Sequence, residues 1–326
     1  MKGSRQDREP DAESSRGRGG LALKGIVPVV QTPFDEEGGL DRESLRRLVQ
    51  DAIEGGAKGL LAPAAASEVA YLSATEREEV LVKIIEAAAG RVPLIVGASS
   101  DRVAECRRFA RWAVEHQPEV AAYLAAVPGA LYRKPEAIVP FFQQVSGGMK
   151  LHLIVQDFEI NGPGMTLSVI GQLREAVSAL AGIKVETVPA GPKYTAVRDA
   201  FGPDFFIAGG WAVQQFIEAL DRGVDAMVPE SSMVRVYSAI HRCYLAGQRE
   251  QAREIFNALL PILAFTNQEL TTSIAFFKRL LVRKGVFTSG HMRLPGFEWD
   301  KYNARVADEL IEHYLALEDQ VAQEIA

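Results

Sequence analysis

Cysteine is nearly absent from this chain: Cys106 and Cys243 are the only two in 326 residues. Each falls inside a helical apolar pattern, which argues against a disulfide framework and fits a reducing compartment, the cytoplasm. Histidine is also scarce. The five, at positions 116, 152, 241, 291 and 313, form no HxxxH or Cys–His set, so the sequence gives a zinc site little support. No apolar run approaches the ~20 residues that a membrane helix needs. A basic field is missing as well: the net charge is −6 with no long run of Lys or Arg, so nucleic acid is not an expected partner.

What is present is an ordinary enzyme-like composition, 48% apolar and 24% charged, long enough for one large α/β domain with an appendage. Residues 1–22 are charged, rich in Gly and Ser, and nearly free of large apolar groups. They cannot bury enough surface to offset ordering entropy and read as a disordered tail.

From Lys24 onward short apolar runs alternate with amphipathic stretches. Gly25–Val30, Gly59–Ala62, Pro93–Gly97, Val120–Val127, Leu151–Gln156, Ile183–Thr187, Phe205–Ala208 and Asp225–Pro229 read as strands. Between them lie helical patterns with recognisable punctuation. Asp41 caps the first, Ser73 and Glu76 form a capping box for the second, and Pro135 opens the fourth. Trp211–Leu220 reads as the seventh. Eight such units over residues 23–247 predict a (β/α)8 TIM barrel. A doubly wound sheet is the competing topology, weakened because no GxGxxG follows the first strand. Residues 248–326 contain three further helical patterns, Arg249–Leu263, Thr271–Lys284 and Asn303–Leu317, expected to pack against the outside of the barrel.

In such a barrel the active site sits at the C-terminal ends of the strands. The run Leu180–Thr187 carries Lys184 near that end, in an otherwise apolar wall. Burial disfavours the ammonium form, and a neutral amine can attack a ketone to form a Schiff base. The competing reading is a lysine that reaches for the rim or pairs with Glu186. Other candidates by strand are Thr32, the segment Ala64–Glu68, Tyr132, Lys134, Asp157, Glu186, and Gly209, Gly210 and Trp211. Carboxylates beside a lysine suit imine chemistry, which needs an acid/base to move protons.

These residues resemble those of the dihydrodipicolinate synthase / N-acetylneuraminate lyase family, the class I Schiff-base aldolases. The likeness runs over nearly the whole chain from Leu23. It is carried by Gly25–Phe34, by Gly59 to Ser73 with Gly59, Glu68, Leu72 and Ser73 retained, by Lys134-Pro135, by Gly182-Ile183-Lys184, and by Met292–Pro295. The resemblance implies the barrel, three C-terminal helices, a homo-oligomer (usually a tetramer), a pyruvate-like 2-oxo acid as substrate, and Lys184 as the imine lysine. There are departures. The family's two threonines for the substrate carboxylate fall on Ala65 and Ala66, leaving main-chain N–H groups and Ser67. Its tyrosine falls on Ala130 or Leu131, next to Tyr132. Its Tyr-Asn is replaced by Gln156-Asp157, and no arginine follows in 158–164.

The resulting expectation is an aldolase or hydro-lyase of a 2-oxo acid, distinct from the lysine-pathway synthase. Lys184 is its nucleophile, with Tyr132, Asp157 or Glu186 as acid/base. Ala65, Ala66 and Ser67 hold the carboxylate end, and Gly209, Gly210 and Trp211 line the substrate. Trp211 and Tyr71 are candidate apolar walls. No metal or organic cofactor is implied, because the imine itself is the electron sink. The alternative is a catalytically degenerate small-molecule binding protein on the same frame.

Overall fold

The alternating pattern is realised as a ring of parallel strands sheathed in helices, in a computed structural model that describes residues 21–117, 119–159, 162–211 and 214–324. The strands are β1 (Gly25–Ile26), β2 (Leu60–Ala62), β3 (Leu94–Gly97), β4 (Val120–Ala126), β5 (His152–Phe158), β6 (Leu180–Glu186), β7 (Phe206–Gly209) and β8 (Ala226–Met227). Each is followed by a helix: α1 (Arg42–Glu54), α2 (Ala74–Ala88), α3 (Val103–His116), α4 (Ile138–Ser146), α5 (Leu167–Ala176), α6 (Gly191–Phe201), α7 (Phe216–Asp221) and α8 (Val234–Leu245). The sheet runs β1-β8-β7-β6-β5-β4-β3-β2, every pairing parallel. Its two edges meet: Val29 bridges Leu61, Leu61 N–H donates to the Pro28 carbonyl at 2.9 Å, and Val30 N–H to the Leu61 carbonyl at 2.9 Å. The ring is therefore closed, as the expected (β/α)8 barrel requires.

Sequence expectation and structure differ where local chemistry intervenes. The first strand was expected to run to Val30 and ends at Ile26, because Pro28 has no N–H for the ladder; Val29 rejoins as an isolated bridge to both Leu61 and Glu230. The seventh helix starts at Phe216 rather than Trp211, whose φ of 54° is left-handed. Pro135–Ala137 forms a 3-10 turn, and α4 begins only at Ile138. The predicted caps are in place: Asp41 accepts from Ser44 N–H at 2.9 Å, and Ser73 and Glu76 bond each other's backbone N–H groups.

Strand residues alternate between two cores. Val27, Val29, Leu61, Ile95, Leu124, Ile154, Phe206, Ala208 and Val228 fill the barrel interior, while Val96, Tyr123, Val155, Ile183 and Val185 pack outward on the helices. Leu23, just before β1, belongs to the inner cluster, and Leu21 packs against it. Residues 1–20 of the expected tail lie outside the described residues.

Three helices follow: α9 (Arg249–Thr266), α10 (Leu270–Arg283) and α11 (Lys301–Glu324). α9 packs on α8 and α7, and α11 on α8 and α9. The expectation that this segment covers only the outside needs correction. The turn between α9 and α10 reaches over the C-terminal mouth of the barrel, where Thr266, Asn267, Glu269, Leu270, Ser273 and Phe277 face a cavity.

Candidate active site

Lys184 lies on the inward face of β6, in register with Gln156 of β5 and Ala208 of β7. Its side chain is 4% exposed. Gly182, two residues earlier on the same face, has to be glycine: a Cβ there would lie 2.1 Å from the Phe206 carbonyl oxygen. Phe206 thus floors the interior under the lysine. Glu186, the next inward residue, places Oε1 2.9 Å from Lys184 Nζ. That oxygen also accepts the Trp211 N–H at 2.9 Å, and the other accepts from the Gln156 amide. Gly210 makes room for this carboxylate, since a Cβ there would meet Oε1 at 2.2 Å. The pairing of Lys184 with Glu186, one of the two readings open in the sequence, is therefore present, and it sits inside the barrel mouth rather than on the rim.

The pair opens into a cavity of about 80 Å3, lined also by Val29, Ala64, Ala65, Ala66, Phe158, Trp211, Val228 and Glu230. That space holds several waters or the reacting end of a small acid. Phe158 and Trp211, with ring centroids 5.8 Å apart, form its aromatic wall. Ala65 and Ala66 occupy a 3-10 turn, Ala65–Ser67, whose first N–H groups have no partner within the turn. Ser67 is turned away. Its hydroxyl donates to the Val30 carbonyl at 2.6 Å and accepts Ala64 N–H at 3.0 Å, so it fixes the loop instead of offering itself to a ligand.

Tyr132 and Asp157 do not join this site. Asp157 has the outward parity of Val155 and is fully buried between strand and helices, because the residue that follows the inward Gln156 must face out. It accepts from Tyr132 OH at 2.9 Å, from Met165 N–H at 3.0 Å, and from Lys193 in an ion pair. Burial, then the Asp157 carboxylate, hold the Tyr132 hydroxyl well above its ordinary value, keeping it a donor. The assembly ties the segment after β5 to α6 and leaves Gln156 and Glu186 as the polar groups beside the lysine. Gly209 and Gly210 shape the site from behind without lining it. Tyr71 stands on a separate open groove of about 980 Å3, with His291, Arg293 and Trp299, away from the strand ends.

Two features escaped the sequence reading. Glu230, just past β8, has the parity of the inward Val228 and is 6% exposed. Its Oε2 accepts Ser232 N–H at 2.5 Å, while Oε1 has no partner. Burial pushes this carboxyl up to about 7. The dipeptide Pro229-Glu230 at a strand end was its only signal. The second feature is a buried ion pair between Glu68 and Lys278 of α10. Glu68 Oε2 also accepts Arg293 N–H at 2.8 Å, and Lys278 donates to the His291 carbonyl at 2.8 Å. Both cations stack on Phe34, at 4.4 and 4.3 Å. Burial brings the Lys278 ammonium down to about 8. This knot joins the Ala65–Ala66 loop to the C-terminal helices. Among the described residues no cluster of three or more His, Cys, Asp or Glu is arranged to hold a metal, and no helix is long and apolar enough to cross a membrane.

A closed parallel barrel with a buried lysine and carboxylate facing a cavity at its strand ends is the architecture of a (β/α)8 enzyme. Residues 22–313 match the Dihydrodipicolinate synthetase family, and the chain belongs to that family, one of lyases and aldolases. It is 29% identical over 279 residues to the L-2-keto-3-deoxyarabonate dehydratase of Azospirillum brasilense, covering 83% of this chain and 88% of that one. To the 4-hydroxy-tetrahydrodipicolinate synthase of Roseobacter denitrificans it is 30% identical over 248 residues, 74% of this chain and 81% of that one. The fold is shared with the dihydrodipicolinate synthase from Rhodopseudomonas palustris (TM-score 0.80, 24% identity, 90% and 98% of the two chains). It is shared too with the sialic acid aldolase of Ruminococcus gnavus (TM-score 0.82, 20% identity, 92% and 99%).

Proposed function

We propose that this protein is an imine-forming class I lyase acting on a 2-oxo acid, with Lys184 as nucleophile and Glu186 as acid/base. One observation carries the reading: among the described residues Lys184 is the only cation lining the cavity, and the Glu186 carboxylate lies 2.9 Å from its amine. The amine attacks C2 of the 2-oxo acid, a C–N bond forms, and the carbonyl oxygen leaves as water. The resulting iminium acidifies the C3 hydrogens, and Glu186 takes one, giving an enamine. The enamine can then expel a C4 hydroxyl, which leaves as water with the proton that Glu186 returns. Hydrolysis of the imine restores the amine. The substrate carboxylate is held by the main-chain N–H groups of Ala65 and Ala66.

Similarity to a 2-keto-3-deoxyarabonate dehydratase supports dehydration of a hydroxylated 2-oxo acid as the reaction. The lysine-pathway condensation has less support, because among the described residues no arginine lines the cavity for a second carboxylate substrate. We further propose a homo-oligomer, tetramer or dimer, which light scattering of the purified protein reads directly.

The test is borohydride reduction with a panel of 2-oxo acids, read by intact mass and peptide mapping. The expected result is an adduct on the peptide containing Lys184. Absence of any adduct, while a known lysine aldolase labels in parallel, refutes the reading. A second reading, a binding protein that has lost turnover, is favoured by one feature: neither Ala65 nor Ala66 has a hydroxyl for the carboxylate. Binding of a 2-oxo acid without adduct formation distinguishes it.

A further inference from the structure

The cavity is unbalanced in charge. Lys184 and Glu186 compensate each other, leaving Glu230 and Glu269 with no cation opposite them among the lining residues. Glu269, at the start of α10, is open to solvent and already accepts the Thr272 hydroxyl at 2.8 Å. Glu230 is different. It is held deep by the Ser232 N–H, with its second oxygen buried and unbonded. A polar atom in that state carries a desolvation penalty that a ligand donor would relieve. Its place follows from the strand register. Lys184 pairs across Ala208 with Ala226, and Val228 and then Glu230 continue the inward face of the eighth strand toward the mouth. Lys184 and Glu230 thus line one cavity, with Glu230 nearer the mouth and the aromatic wall and the α9–α10 turn beside it.

We propose that Glu230 is the specificity-determining residue of this site: its free oxygen takes a hydroxyl on the far part of the substrate chain, and its carboxylate turns away a second carboxylate. The assignment rests on the imine reading above. Two effects act together. A hydroxyl donor satisfies an oxygen that has no hydrogen-bond partner, while a terminal carboxylate is repelled by Glu230, because Lys284, the cation that acts on Glu230, stands outside the cavity lining and is already paired with Asp51 and Glu318. A site built around a substrate hydroxyl discriminates strongly against analogues that lack it, because its own polar group is then left unpaired. Burial pushes the Glu230 carboxyl up to about 7, so near neutrality its protonated form can also donate to the hydroxyl oxygen. The titratable groups that act on it are Lys284, just past α10, Tyr237 of α8 and Tyr314 of α11.

The experiment follows borohydride trapping on the full chain against concentration for three acids: pyruvate, a 2-oxo-3-deoxy aldonic acid, and 2-oxoglutarate. The parent protein should half-saturate with the hydroxylated acid at least about tenfold below 2-oxoglutarate. In Glu230→Gln, which keeps the side-chain volume and removes the charge, that ratio should fall to within about threefold. In Glu230→Ala the advantage of the hydroxylated acid over pyruvate should disappear. Thermal unfolding of each variant confirms that the comparison is between folded proteins. Trapping by the parent with both ratios unmoved in the Gln and Ala variants overturns the assignment of Glu230 and leaves the imine reading standing. A parent that traps none of the three acids overturns both.

Discussion

Replacing Glu230 by glutamine should change the pH dependence of stability in a way that needs no substrate. The carboxyl titrates near its ordinary 4.5 in the unfolded chain and at about 7 in the native one, because burial opposes its charge more than Lys284 and the Ser232 bonds favour it. Between those two values the native state binds more protons than the unfolded state, so stability falls as pH rises through this window. The favourable contribution is complete below 4.5 and gone above 7. A displacement of that size corresponds to about 3 kcal/mol, little reduced by solvent screening because the group is buried. Glutamine cannot ionise, so the variant lacks this decline. Its cost in packing or hydrogen bonding is the same at every pH and cancels in the comparison. Urea unfolding of both proteins at about pH 5 and about pH 8.5 should show the variant gaining about 2–3 kcal/mol on the parent between the two conditions. A difference between parent and variant that stays flat with pH would mean that Glu230 is solvated or neutralised in a way its surroundings do not show.

Lys184→Arg keeps the charge beside Glu186 but offers no primary amine, and should abolish every borohydride adduct; an adduct elsewhere in the chain would move the nucleophile. Ala65→Thr combined with Ala66→Thr should tighten pyruvate by about tenfold or more, since each hydrogen bond to a charged acceptor is worth ~1.5–3 kcal/mol. Unchanged pyruvate affinity would show that this loop does not grip the carboxylate. Lys278→Met strands the buried Glu68 carboxylate and should cost about 3–5 kcal/mol in urea unfolding, with part of the loss recovered by adding Glu68→Gln. A single variant no worse than the double one contradicts the ion pair. Tyr132→Phe removes a buried donor from Asp157 and should lower stability by about 1–3 kcal/mol, without altering the trapping of 2-oxo acids. Loss of trapping would return Tyr132 to the chemistry.

The barrel was legible because each strand and helix carries its own period, and because caps such as Asp41 and the Ser73–Glu76 box mark where helices begin. Lys184 stood out for the same local reason, a cation in an apolar run. What failed was the direction of neighbouring side chains. Asp157 and Gln156 differ by one position in sequence and so lie on opposite faces of β5, a distinction that the motif Gln-Asp does not carry until the register is known. Ser67 misled in another way: its hydroxyl is committed to Val30, across the seam that closes the barrel, a contact with no trace in the local sequence. Glu230 and Lys278 were invisible as site residues because their significance depends on burial and on partners distant in the chain.

The turn between α9 and α10 has a consequence for how the cavity comes into being. The sixth strand presents Lys184 long before the ribosome has made Phe277, and until that late segment docks, the lysine stands at the bottom of an open bowl. The knot of Glu68, Lys278, Arg293 and Phe34 ties an early loop to a segment made after the whole barrel, so the enclosure closes only once that segment has emerged. A chain stopped after the eighth barrel helix would have the lysine and its glutamate partner without their cover. Substitutions confined to that later segment, by contrast, can reshape what the cavity admits without touching a single barrel strand.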